Sequence, residues 1–169
     1  MADETCGSGY VDGNSTSAST NTTYCDTAYP ATGEFTCDTI DVNIAVAGGG
    51  DWVIGHGSLS GTTFTPKHTV TVTTASTGVQ QFTAPGDFTA FVVDAGDFWV
   101  CFSSSATCQP DRTTTPNPKG YGVGGGGDET GEASFTVSLS DTRSIEIQLS
   151  GPSTAAQGSP GGRMLLGVG

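Results

Sequence analysis

The residues able to do chemistry in this chain are two histidines, five cysteines and seventeen carboxylates. His56 sits in the run GHGSLSG (55–61), which reads as a turn-rich loop. A nucleophile elbow of the G-x-S-x-G kind would need serine where Leu59 stands. His68 opens HTVTVTT (68–74), in phase with Val70 and Val72, and is expected as a half-buried strand-end residue. Neither histidine has a recognisable acid or nucleophile beside it, so a Ser-His-Asp triad is not expected and the chain reads as a non-enzyme. Gly120, Gly122 and Gly125 match G-x-G-x-x-G. The site that motif serves needs a helix N-terminus after it to meet a pyrophosphate. Here Asp128 and Glu129 follow, and they repel phosphate.

The carboxylates are the better ligand candidates. Asp94 and Asp97 share one turn, and Asp87 lies one strand away; these three are the candidate metal ligands. No cofactor is expected and solvated acidic turns are the other reading; Ca²⁺ is the ion these residues would suit, since it takes about six to eight oxygens and loops supply carbonyls beside carboxylates. No EF-hand spacing is present. Trp52, Trp99 and Tyr121 are candidates for a sugar platform, and Tyr121 is the one expected to be exposed. Asn14-Ser15-Thr16 and Asn21-Thr22-Thr23 both have the form of a glycosylation acceptor.

Cys6, Cys25, Cys37, Cys101 and Cys108 include no C-x2-C pair, so structural zinc is not expected. Cys101 and Cys108 flank FSSSAT and are expected to staple it. One bridge is expected among the cysteines of the first third, with Cys25 and Cys37 the candidate pair. Bridges would place the protein outside a reducing cytosol.

The elements that must position these groups are short strands. The most apolar stretch is VQQFTAPGDFTAFVVDAGDFWVCF (79–102). Ala84-Pro85-Gly86-Asp87 reads as a type II turn and Asp94-Ala95-Gly96-Asp97 as a second tight turn. Both faces of the strands between them are apolar, so cover is expected on both sides, from the chain itself or from a neighbour. Ile40, Val42, Ile44 and Val46 alternate with polar or small residues, the pattern of a half-buried strand. ASFTVSL (133–139) and SIEIQL (144–149) read as a hairpin with Phe135, Val137, Leu139, Ile145, Ile147 and Leu149 facing in. A further short strand is expected at Met164-Leu165-Leu166. No helical period occurs.

The expected fold is therefore all-β, a β-sandwich or jelly roll of about eight to nine short antiparallel strands. Residues 1–34 read as an extended Ser/Thr/Asn/Gly-rich arm anchored by Tyr10, Tyr24 and Tyr29. Residues 35–169 read as the sandwich, with a long irregular loop at 103–127. Tyr10, Tyr24, Tyr29 and Tyr121 are the candidate interface residues.

Charged residues make up only 13% of the chain but are one-sided, giving a net charge of −12 with two lysines, Lys67 and Lys119. Such a surface suits high salt, where screening over roughly 3 Å at about 1 M removes carboxylate repulsion. It also lacks the basic stripe that nucleic-acid binding requires. No apolar run is long enough for a membrane span. MADETCGSGY (1–10) has neither the basic nor the apolar region of a leader. A leader already removed, a cytosolic protein with reduced thiols, and release without secretion, as a virus particle is released, are the three explanations open, and the last accommodates this start together with the cysteines.

Taken together, the acidic, Lys-poor, Thr/Gly-rich β-domain with several cysteines and a polar arm resembles a virion structural protein of a virus infecting halophilic archaea: a capsid decoration, turret or tail component. The stretch GVQQFTAPGDFTAFVV (78–93) is also similar to secreted β-sandwich domains appended to proteases and cell-surface proteins. The first resemblance implies a non-enzymatic structural protein of an extracellular assembly. Its partners would be other copies of itself, other virion or surface proteins and a host-surface glycan. The alternative expectation is a secreted or cell-surface binding module, an adhesin or carbohydrate-binding sandwich of a halophilic archaeon.

Overall fold

A computed structural model describes residues 3–8, 16–17, 19–46, 49–103, 109–113, 120–140 and 143–154, with the backbone alone given for 16–17 and 109–113. In chain order its strands are β1 (Asp3–Cys6), β2 (Thr16–Ser17), β3 (Thr22–Asp26), β4 (Phe35–Cys37), β5 (Thr39–Val46), β6 (Gly50–Ser60), β7 (Thr63–Thr74) and β8 (Gly78–Thr83). There follow β9 (Phe91–Val93), β10 (Phe98–Ser103), β11 (Gln109–Thr113), β12 (Tyr121–Gly126), β13 (Phe135–Thr136), β14 (Ser138–Ser140), β15 (Ser144–Ile145) and β16 (Ile147–Pro152). No helix occurs among the described residues.

The all-β expectation holds. One sheet runs β1-β16-β5-β11-β15, with β8 on β5 and β2 on β11; the other runs β13-β7-β6-β10-β3-β12-β14; β4 and β9 form a small third sheet. The main core draws on all three. Ile40, Val42, Ile44, Ile145, Ile147 and Leu149 come from the first sheet, Trp52, Ile54, Trp99 and Cys101 from the second, and Phe35, Phe91 and Val93 from the third. The strict alternation in β5 thus puts Ile40, Val42 and Ile44 inside, while Val46 at its end is 40% exposed.

β10 lies between β6 and β3 and is apolar on both faces, as expected of a covered central strand. Trp99 and Cys101 enter the main core, whereas Val100 joins Cys25, Phe64, Phe135 and Val137 in a second cluster. The second face is therefore covered by the same chain, with Phe135 packed on Phe64 at 5.3 Å between ring centroids. The expectation fails for β9, where Phe91 and Val93 are buried but Val92 is 48% exposed.

Several boundaries differ from the sequence reading. The described residues form sixteen strand segments against the expected eight or nine strands, because polar stretches supply strands. Within 1–34, strands β1 and β3 pair into the two sheets. β1 extends the first sheet on β16, and β3 is inserted between β10 and β12 with Thr23 to Asp26 all buried. Average composition hides a five-residue strand, and Thr-Thr-Tyr-Cys has the β-branched and aromatic character that fits a pleated surface. Within 103–127, β11 and β12 likewise pair into the sheets.

The 133–149 hairpin does not form. β13 and β14 join the second sheet while β15 and β16 join the first, so the chain crosses the sandwich between them. Ile145, Ile147 and Leu149 are buried as expected, but Leu139 is 53% exposed. Short strands take the partner that completes a sheet rather than the sequence neighbour.

Residues 55–60 belong to β6, and only Gly61 of this run lies in a turn. Gly55 and Gly57 read as turn residues but serve close packing: a Cβ on Gly55 would come within 1.9 Å of the His68 carbonyl oxygen, and one on Gly57 within 2.2 Å of that of Thr65. The Ala84–Asp87 turn is not type II. Its Ala84–Pro85 bond is cis and Gly86 lacks the positive φ that type II requires. The Asp94–Asp97 turn does form, with Gly96 at φ 85° and the Asp97 N–H donating to the Asp94 carbonyl at 3.1 Å.

Candidate functional site

β6 and β7 pair antiparallel, with His56 opposite His68 and Gly57 opposite Pro66, leaving Lys67 as the extra residue of a bulge. Bulges re-aim side chains. Here the Lys67 ammonium reaches the turn that joins β9 to β10, donating to Asp94 Oδ2 at 2.7 Å and to Asp97 Oδ1 at 2.8 Å. The other Asp97 oxygen, Oδ2, lies 2.7 Å from His56 Nδ1. His56 and Asp97 are both 3% exposed. Phe91 from β9 stacks on His56, 5.6 Å between centroids and 3° from parallel, and meets His68 at 4.7 Å.

The Asp97 backbone adds further ties. Its carbonyl accepts from the Ala31 N–H at 2.7 Å and from the Cys6 thiol at 3.3 Å. One residue thus joins β1, the 31 turn, β6, β7 and the β9–β10 turn. Burial alone would raise the Asp97 carboxyl, but hydrogen bonds from His56 and Lys67 outweigh it and hold the group below its ordinary range. For Lys67 the order is similar: desolvation lowers it, and the two carboxylates raise it further than that. The His68 imidazole is lowered by desolvation and then by His56.

A histidine Nδ1 held by a buried carboxylate is the arrangement that orients an imidazole in acyl-transfer enzymes. Among the described residues no hydroxyl or thiol is hydrogen-bonded to His56. Beside the cluster, residues 66–69 and 130–132 line an open cleft of about 330 Å³. The geometry fastens the β9–β10 turn to the β6–β7 bulge. The sequence reading placed His56 in a loop and missed its pairing with Asp97. The available signal was the period-2 sequence Trp52, Ile54, His56, which continues a strand through the glycines.

The three candidate metal ligands have other partners in the structure. Asp94 and Asp97 converge on the Lys67 ammonium. Asp87 is engaged elsewhere, its Oδ2 accepting from the Thr83 N–H at 2.8 Å. No group of three or more His, Cys, Asp or Glu among the described residues is arranged to hold a metal ion. Asp128 and Glu129 accept hydrogen bonds from Thr130 and Gly125, and Gly122 and Gly125 lie in strand β12 with Gly120 just before it.

The expected Cys25–Cys37 bridge does not form, and the expected Cys101–Cys108 staple involves a residue outside the described ones. Cys6, Cys25, Cys37 and Cys101 are free, buried thiols, and Cys108 lies outside the described residues. Cys25 belongs to the second cluster and Cys37 to the main core, so they sit in separate packing regions. Burial pushes both thiols up to about 12 and Cys101 higher still.

Of the expected interface tyrosines, Tyr24 and Tyr121 are core residues, 4% and 8% exposed with centroids 5.9 Å apart. Tyr29 is half-buried, and Tyr10 lies outside the described residues. Trp52 and Trp99 are buried, so neither they nor Tyr121 form a sugar platform. Asn21 is exposed with φ 52°; Asn14 and Met164 to Leu166 lie outside the described residues. No helix in the described residues is long and apolar enough to cross a membrane.

Comparison with protein-family models, with curated proteins and with solved structures finds no match.

Proposed function

We propose that this chain is a non-enzymatic structural subunit of an extracellular assembly, acting through contacts between copies in high salt. A virion capsid-surface or tail component is the setting that its compositional resemblance supports. One observation carries the reading. Three of the exposed large hydrophobic residues lie on strands that pair on one side only among the described residues: Val79 on β8, Val92 on β9 and Leu139 on β14, at 43%, 48% and 53% exposure. Strand edges are templates for pairing with another chain, and proteins that stay single blunt them with lysine, proline or bulges. The sequences of these three strands, GVQQFT, FVV and SLS, contain no basic residue and no proline.

The charge pattern favours the same setting. A net charge of −12 keeps copies apart at low ionic strength and ceases to do so when screened. Sedimentation velocity of the full chain in about 0.1, 1 and 3 M NaCl tests the proposal. Species larger than the 17.0 kDa chain are expected in high salt. They should be lost in the triple variant Val79→Lys, Val92→Lys, Leu139→Lys, with its melting transition retained. A native protein that stays monomeric at every salt and concentration overturns the reading.

A further inference from the structure

We propose that β8 is the surface through which two copies pair, edge to edge and antiparallel, about a twofold axis at Gln80. The inference rests on the assembly reading and names its contact. Among the described residues the other free edges are either blunted or too short for a longer ladder. β7 is unpaired beyond its first two residues on one side but carries Pro66 and the bulge at Lys67. β1 carries Asp3 and Glu4. β9 and β14 are three residues long. β8 has six residues, no charge, no proline and a regular register on β5. It is the edge with none of the protective devices.

The direction of its backbone groups follows from the ladder. The Ala84 N–H donates to Asp38 O toward β5, while the Thr83 N–H donates to its own Asp87 carboxylate. N–H directions alternate along a strand, and in antiparallel pairs the closely spaced residues exchange both bonds. Gly78, Gln80 and Phe82 therefore bond β5, and Val79, Gln81 and Thr83 point to the free edge. Asp87 already occupies Thr83. Among the described residues, the edge is left with the N–H and C=O of Val79 and Gln81.

One register satisfies all of these groups. Placing Val79 of one copy opposite Gln81 of a second, and Gln81 opposite Val79, yields about four inter-copy hydrogen bonds. It also lays each exposed Val79 side chain beside the other copy's Gln81. The contact is isologous, so it closes on a pair. In a chain of net charge −12, it brings together two strands without a charged side chain. That commits the occupant to a second copy; a basic partner would have nothing to recognise here.

Two single variants test it. Gln81→Pro removes an outward N–H and leaves the β5 ladder intact, and Val79→Lys places a charge on the edge. The native chain in molar NaCl is expected to contain a species of twice the chain mass by light scattering. Either variant should reduce its association at least about tenfold with an unchanged melting temperature. If Gln81→Pro unfolds, Val79→Lys decides. Dimers that persist in the folded variants but vanish in Val92→Lys or Leu139→Lys overturn the β8 pairing and leave the assembly reading standing. A native chain that is monomeric throughout overturns both.

Discussion

Asp97 and Asp94 both accept from Lys67, yet their surroundings give these contacts different weights. The Asp97 side chain is 4% exposed and also faces His56; the Asp94 side chain is 52% exposed. Removing one partner of a buried pair leaves an uncompensated charge and costs about 3–5 kcal/mol, whereas an exposed pair contributes about 0–1 kcal/mol. Asp97→Ala is therefore expected to lower the urea midpoint sharply and Asp94→Ala hardly at all. Equal losses would mean that the cluster is not a buried fastening. Because the folded Asp97 carboxyl lies below its ordinary 3.8, its contribution is present above that pH and lost as pH falls through the depressed value. Asp26 behaves in the opposite sense. It is 2% exposed, and burial raises its carboxyl to about 6 although the N–H groups of Thr27, Ala28 and Tyr29 all donate to it. The folded state then holds a proton that the unfolded state releases, so this contribution is complete below about pH 4 and is lost as pH rises through about 6. Asp26→Asn cannot titrate. Its stability relative to the native chain should climb between those two values in urea titrations, and a flat difference would show that burial does not perturb Asp26.

At the scale of elements, β6 and β7 explain why part of the site was legible and part was not. Apolar alternation in β5 and in 145–149 identified buried faces directly, since period 2 survives any choice of partner. The Asp94–Asp97 turn was legible because glycine at its third position is local chemistry. The His56–Asp97–Lys67 cluster was not. It needs residues from β6, from the bulge in β7 and from the β9–β10 turn, and sequence spacing does not record which strands become neighbours. Glycine added to the error: at 55 and 57 it marks close approach of two backbones, but in sequence it looks like a turn. This difference is measurable. Gly55→Ala would drive a methyl group into the His68 carbonyl, and Gly126, with nothing within 4 Å of an added Cβ, is its control. Overpacking of this kind costs about 1–3 kcal/mol or more, so Gly55→Ala should lose at least about 2 kcal/mol in denaturant titration. Gly126→Ala should stay within about 0.5 kcal/mol. A mild Gly55→Ala would mean that the β6–β7 contact relaxes easily, and the bulge would then be a weak support for Lys67.

For the whole molecule, the balance is between a continuous apolar core and a surface of one sign. Of the five basic residues, Lys67 is already committed to Asp94 and Asp97, so few cations are left to offset the carboxylates. Self-repulsion of that kind weakens the compact state, and it is long-ranged at low ionic strength, with a Debye length of about 10 Å at 0.1 M and 3 Å at 1 M. The expected consequence is a melting temperature that rises with NaCl. Salt also strengthens apolar burial by exclusion from the surface, and the two causes separate by the shape of the curve. Screening is largely spent by about 1 M, whereas exclusion continues to act as salt is added. A steep rise below about 1 M NaCl followed by a shallow slope identifies relief of charge repulsion as the main cause, and a straight line identifies strengthened apolar burial. A melting temperature that does not rise at all would remove high salt as the setting for this surface, and with it the reason why copies carrying twelve net negative charges each would meet along an uncharged strand.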